Sequence, residues 1–170
     1  MSSAICWRSG VDLNLGQNND DNMNETNMIG IVGSSRITPD FLERAELTVR
    51  GILYQYNKSN TTIVSGGNKG RRGTDGIDDI AVRIAEKMGY PTIVYKPKNT
   101  FWSGYKERNL QIANASDKVY SIAMPMLNPA DECYHCAIPN NHAKTAGCWT
   151  AKHCREHELV VLGSVRGVDL

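Results

Sequence analysis

Several features of ordinary protein classes are missing from this sequence. It has no apolar run approaching the ~18 residues that would signal a membrane span. The first residues lack the ordered basic, apolar and small-residue segments of a secretory leader, so we expect a cytosolic protein. Charge of one sign is also lacking. With 19 basic and 18 acidic residues the net charge is +1, so no global field draws the chain to nucleic acid or to an anionic surface. Neither G-x-G-x-x-G nor G-x-x-x-x-G-K-[ST] occurs, which removes the two commonest phosphate-loop signatures. Asn-Gly hairpin turns are absent too, which disfavours a meander of antiparallel strands.

What is present is unevenly placed. The 170 residues suit a single domain. Residues 1–27 include LGQNNDDNMNETN, too poor in large apolar groups to offset ordering entropy, and read as a flexible polar arm. The alternative is that Ile5, Trp7, Val11, Leu13 and Leu15 fold this arm back onto the domain. Residues 28–170 form the domain proper. There, short apolar runs that end in glycine or a turn alternate with segments of helical period. MIGIVG, TTIVSGG, PTIVYKP, DKVYSIAMP and ELVVLG read as strands. PDFLERAELTVRGIL (with Thr38 as a potential cap), GIDDIAVRIAEKM, Tyr105 to Ala115, and AGCWTAKHCREH read as helices. Such alternation implies right-handed parallel crossovers and a Rossmann-like open α/β sheet, mainly parallel, of about five strands. In sheets of this kind ligands bind beyond the carboxyl ends of the strands, which is where the glycines fall.

Three loops share that edge. The first is Gly33-Ser34-Ser35-Arg36, where glycine permits close approach and hydroxyls with backbone amides suit an anion, or where a plain βα turn suffices. The second begins Ser65-Gly66-Gly67 and runs through Lys69, Arg71, Arg72, Asp75 and Asp78, with five glycines from Gly66 to Gly76. It reads as a phosphate cradle or as a long solvated loop. Asp75 and Asp78 contact a sugar or cap the following helix. The third is Tyr105-Lys106-Glu107-Arg108-Asn109, whose Arg108 can grip phosphate or carboxylate with two parallel hydrogen bonds, or lie on a helix surface.

Between the fourth strand and the last helix lies a Cys/His-rich insertion at 128–148. Four of the five cysteines and all four histidines fall between 133 and 157. In a reducing compartment clustered thiols bind metal or do chemistry more often than they pair. Cys133 and Cys136 form C-x2-C, and His142 and Cys148 follow at equal spacing, a Cys3His set that suits tetrahedral zinc. Such a site has no open position, so its metal would be structural, a staple for a long loop. His135 or Cys154 are substitutes for one ligand. The spacing is one residue too long at each later gap for a zinc knuckle, so nucleic-acid binding is not inferred from it. Two other readings stay open: buried thiols without metal, and Cys148 as a nucleophile at a helix start with His142 or His135 as its base.

In order, GIVGSSR, TIVSGG with GTDGIDDIA, PTIVYKP, ERNLQIANASDKVY and TAGCWTA resemble the SLOG superfamily. That Rossmann-like group includes the LOG-type lysine decarboxylase-like proteins, DNA-processing protein A and YspA/YpsA-related proteins. The resemblance spans residues 28–163. It implies a nucleotide or nucleotide-derived ligand at Gly33, Ser34, Ser35, Arg36, Ser65, Gly66, Gly67, Arg108, Asn109, Thr145 and Gly147, and a homodimer by analogy. It implies a sensor or binding module more readily than an enzyme. LOG-type phosphoribohydrolases carry a glutamate after P-G-G-x-G-T. Here Gly147 and Thr150 stand in that stretch, the next acids are Glu156 and Glu158, and His153 falls near the glutamate's place. A nucleoside-monophosphate N-glycosidase would have to work with Arg108 and with Asp75, Asp78 or His153. A single-stranded nucleic-acid module, using Lys69, Arg71, Arg72 and the Cys/His loop, is the third reading.

Overall fold

A computed structural model describes residues 26–67, 75–136 and 141–163. The arm up to residue 25 and the basic stretch Lys69, Arg71 and Arg72 lie outside the described residues.

The chain runs β1 (Asn27–Gly33), α1 (Pro39–Leu53), β2 (Thr61–Ser65), α2 (Ile77–Met88), β3 (Thr92–Val94), α3 (Trp102–Ala115), β4 (Lys118–Ala123), α4 (Ala146–Ala151) and β5 (Glu156–Val161). The five strands form one sheet in the order β3-β2-β1-β4-β5, and every pairing is parallel. The expected open α/β sheet is therefore present.

Strand alternation sends its side chains to two cores. Ile29 and Ile31 of β1, Ile63 of β2, and Tyr120 and Ile122 of β4 face α1 and α2. Val32, Val64 and Val119, their neighbours in sequence, face the opposite way, toward Ile112 of α3 and Ala151 at the end of α4. Each of the fully buried isoleucines contributes about 1.5–3 kcal/mol relative to exposure. On α2, Ile77, Ile80, Ala81, Ile84 and Ala85 recur at helical spacing and are all buried. Gly89 ends that helix in the left-handed conformation (φ 83°), which costs a residue without Cβ nothing.

Several boundaries differ from the sequence reading. α1 starts at Pro39 as expected, with Thr38 at the cap position, but the Thr38 side chain makes no capping hydrogen bond. α3 begins at Trp102, three residues before Tyr105. β3 is confined to Thr92–Val94. The last helix is only Ala146–Ala151; the chain then turns, and Glu156 and His157, expected on the helix, belong to β5. The register of β5 against β4 explains this: it pairs from Lys118↔Glu156 to Ala123↔Val161. Lys118 bridges Glu156 (3.5 Å) and Glu158 (3.1 Å) across that pair. Among the described residues, no helix is long and apolar enough to cross a membrane.

The chain proceeds outward from β1 to β2 and β3, then α3 carries it back across to β4 beside β1. The strand order reverses between β1 and β4, the point at which such sheets open a crevice.

Candidate functional site: a cleft at the strand switch with a Cys/His centre in its wall

A cleft of about 250 Å³ opens at that switch point, between the end of β1 and the first turns of α2, α3 and α4. Its floor is backbone. A Cβ on Gly147 would stand 2.7 Å from the Gly33 Cα and 2.9 Å from the Ser121 hydroxyl, and one on Gly33 would run into the Ile122 carbonyl. Only glycine allows β1 and α4 to meet this closely.

One side of the cleft is set by a buried ion pair. Arg108 Nη1 donates to Asp78 Oδ2 at 3.2 Å, and the Gly33 amide donates to Asp78 Oδ1 at 3.2 Å. Burial pushes the Asp78 carboxyl up, against the opposing pull of the Arg108 guanidinium and the Gly33 amide. The Arg108 guanidinium also lies over the Tyr105 ring, 5.6 Å from its centroid. Gly66 leaves room for the pair: any Cβ there would collide with the guanidinium and the carboxylate. Beside the pair, Arg108 Nε and Asn109 Nδ2 are buried donors with no hydrogen-bond partner among the described residues. Arg108 is 5% exposed, Asn109 2%, and both line the cleft. Leaving such a donor unsatisfied costs about 1–3 kcal/mol, so the site favours an acceptor.

The rim is polar and aromatic. Ser35 and Lys144 line it with Thr145, whose hydroxyl caps α4 by accepting from the Gly147 amide (3.1 Å). Trp102 stands half-exposed at the mouth, edge-on to Trp149 with centroids 5.7 Å apart. His153 is exposed, its ring lies tilted against Trp149 with centroids 4.2 Å apart, and its Nδ1 donates to the Trp149 carbonyl (2.6 Å).

The remaining residues singled out in the sequence take other places. Ser34 is buried, and its hydroxyl accepts from the Met124 amide at 3.0 Å. Ser65 is buried and donates to the Ile31 carbonyl at 2.6 Å. The first hydroxyl thus ties the loop after β1 to the segment just past β4, and the second ties β2 to β1. Arg36 is exposed, Gly67 adopts φ 54° against Val94, and the Asp75 carbonyl accepts from the Ile37 amide. Asp78 does not cap α2, since Gly76 holds the cap position.

The Cys/His spacing produces a centre. Cys133, Cys136, His142 and Cys148 bring one ligand atom each within 4.8 Å of one another, an arrangement that can hold a metal ion. Cys136 Sγ lies 3.2 Å and Cys148 Sγ 3.9 Å from His142 Nε2. His142 is fully buried, and its Nδ1 contacts the Ala143 carbonyl at 2.9 Å. A carbonyl only accepts, so Nδ1 carries the proton and Nε2 presents its lone pair to the centre, as metal-binding imidazoles do. The insertion is pinned by bridges Pro125↔His142 and Glu132↔Ala143 and by the Lys144 amide donating to the Asp131 carbonyl (2.8 Å). Cys154 stands apart, with its thiol on the Ser116 carbonyl (3.3 Å), and the His135 ring packs on Tyr134, so neither replaces a ligand. Burial drives the Cys136 and Cys148 thiols up, which opposes a free nucleophilic thiolate at Cys148.

Comparison with protein-family models, curated proteins and solved structures finds no match.

The two features share a segment. Lys144, Thr145, Ala146 and Gly147 line the cleft, and the ligands His142 and Cys148 bracket them in sequence. Sequence reasoning found the four ligands and, separately, Asp78 and Arg108. It missed Trp102, Lys144 and the pairing across thirty positions, because neither periodicity nor spacing links a helix start to a side chain on another helix.

Proposed function

We propose that this chain is a binding module for a nucleotide or nucleotide-derived metabolite, held by its phosphate or ribose in the switch-point cleft. The observation that carries the reading is the pair of buried, unpartnered donors, Arg108 Nε and Asn109 Nδ2, beside a guanidinium already oriented by Asp78. An acceptor-rich, anionic group satisfies them, Lys144 adds charge at the rim, and Trp102 and Tyr105 offer ring faces to a base. The resemblance to SLOG proteins points to the same ligand class. Three thiolates and one imidazole suit zinc, so the metal of this reading is a structural zinc that braces the cleft wall.

Binding has more support than N-glycosidic hydrolysis. Asp78 is the one carboxylate among the described cleft-lining residues, and it is engaged by Arg108 and Gly33. The test is calorimetric titration of the zinc-loaded protein with a panel of nucleoside monophosphates and their nucleosides, with free base followed by chromatography. Saturable binding of a monophosphate, weakened by Asn109→Ala and without base release, is the expected result. Failure of every monophosphate to bind overturns the reading, and base release replaces it with the hydrolase.

A further inference from the structure

A second cavity, of about 320 Å³, lies on the other side of the Cys/His centre, between the insertion, α4 and β5. Cys136, Cys148, His135, Lys152, His157 and Glu158 line it. It reaches two of the three ligand sulfurs. Cys133 is not in its lining and is 2% exposed, whereas Cys136 is only half-buried, alone among the four ligands. The metal centre therefore has one thiolate accessible to a small solute, with a second thiolate on the same cavity wall. The Sγ atoms lie within 4.8 Å of each other, so the two sulfurs are neighbours that a disulfide of ~2.05 Å would draw together.

We propose that Cys136 and Cys148 are an oxidant-responsive pair, reached through this cavity by a small peroxide, and that their oxidation releases the metal and unclasps the cleft wall. The Cys136 sulfur attacks one peroxide oxygen; the S–O bond forms, the O–O bond breaks, and hydroxide leaves with a proton supplied by the water-facing cavity groups. The Cys148 sulfur then attacks the sulfenic sulfur, forming the S–S bond and expelling the second oxygen, which leaves as water on taking another proton. In sum, two thiolates, one hydrogen peroxide and two protons give one disulfide and two waters. Sulfur is oxidised and peroxide oxygen reduced. Cys133 and His142 remain, too few ligands to hold a divalent ion tightly. His142 and Cys148 flank residues 144–147, so loss of the metal unties both ends of that wall from their common point. The effect on ligand affinity rests on the nucleotide reading; the redox step does not.

The experiment treats the zinc-loaded full chain with hydrogen peroxide, follows zinc with a chromogenic chelator, and maps disulfides by mass spectrometry of a non-reducing digest. Zinc release in step with a Cys136–Cys148 disulfide, reversed by a thiol reductant with zinc, is the expected result. Retention of zinc, or a Cys133–Cys136 disulfide instead, overturns the proposal. Cys136→Ser should retain zinc weakly and lose peroxide-driven disulfide formation. If that variant does not fold, the double variant Lys152→Ala/His157→Ala, at exposed positions, is the second test: slower release at unchanged zinc stoichiometry supports the cavity route, and an unchanged rate rejects it. Cys154→Ser should release zinc as the unmodified chain does. Adenosine monophosphate binding is measured on the same samples. If the nucleotide never binds while zinc release proceeds, the ligand reading fails and the redox pair stands.

Discussion

Asp78 and Arg108, thirty residues apart in sequence, meet at 3.2 Å beneath the cleft, and the same carboxylate holds the amide of Gly33. The pair thus joins the end of β1, the first turn of α2 and the middle of α3. Their side chains are 11% and 6% exposed, so each charge depends on the other for compensation. Asp78→Ala leaves an uncompensated buried guanidinium and should destabilise the fold by about 3–5 kcal/mol in urea denaturation. Adding Arg108→Met to that variant should recover much of the loss. Strict additivity of the Asp78→Ala and Arg108→Met losses in the double variant would show that the pair is not coupled.

Two glycines should respond to alanine in opposite directions. At Gly33 the new methyl group meets the Ile122 carbonyl, a backbone atom that cannot swing away, and a loss of about 1–3 kcal/mol is expected. At Gly51, exposed within α1, nothing lies within 4 Å, so alanine should stabilise by about 0.5–1 kcal/mol through helix propensity. Thermal denaturation of the two variants checks both signs.

Removal of metal should loosen one region selectively. A metal ion held by the folded chain alone stabilises it by about 1.4 kcal/mol for each tenfold excess over its dissociation constant. After chelation, hydrogen exchange should quicken from His142 to Ala151 while the amides of β1 and β4 keep their protection. Cys133→Ser should give the same exchange pattern. Uniform acceleration across the sheet would mean that the centre supports the whole fold and not the cleft wall alone.

Tyr56 and Tyr120 share a hydrogen bond of 2.8 Å between their hydroxyls. Burial, then the bond to Tyr120, raises the Tyr56 phenol above its usual range. In the unfolded chain a tyrosine ionises near pH ~10. A folded-state value above the unfolded one contributes stability that is intact below that pH and is lost as pH rises through the folded value. Alkaline denaturation should therefore steepen above pH ~10, and Tyr56→Phe should remove that part of the slope. Absorbance of the phenolate during the titration reports the same event directly.

Sequence and structure agree where the signal is local and repeated. MIGIVG and TTIVS are apolar runs that end in turn residues, and both are central strands. The apolar face of α2 recurs without interruption, so its burial follows from spacing alone. The C-x2-C pair with His142 and Cys148 was legible because metal ligands are few in kind and sharply spaced. The end of α4 was not: AKHCREH suits a helix by propensity, but β4 offered Glu156 and His157 an open strand edge, and pairing prevailed. The roles of Ser34 and Ser65 were hidden for a related reason. A serine beside a glycine reads as a ligand contact, whereas here the acceptor of Ser65 is a backbone carbonyl on β1 and the donor to Ser34 is a backbone amide just past β4.

The glycine floor constrains how this cleft can change over generations. Where Gly33 and Gly147 touch, no side chain can be inserted without forcing a strand and a helix apart, so that surface cannot be rewritten one substitution at a time. The proposed binding reading therefore puts the freedom to vary at the rim, in Ser35, Trp102, Tyr105 and Lys144. A library aimed at new ligand preference should vary those four positions and leave the floor alone.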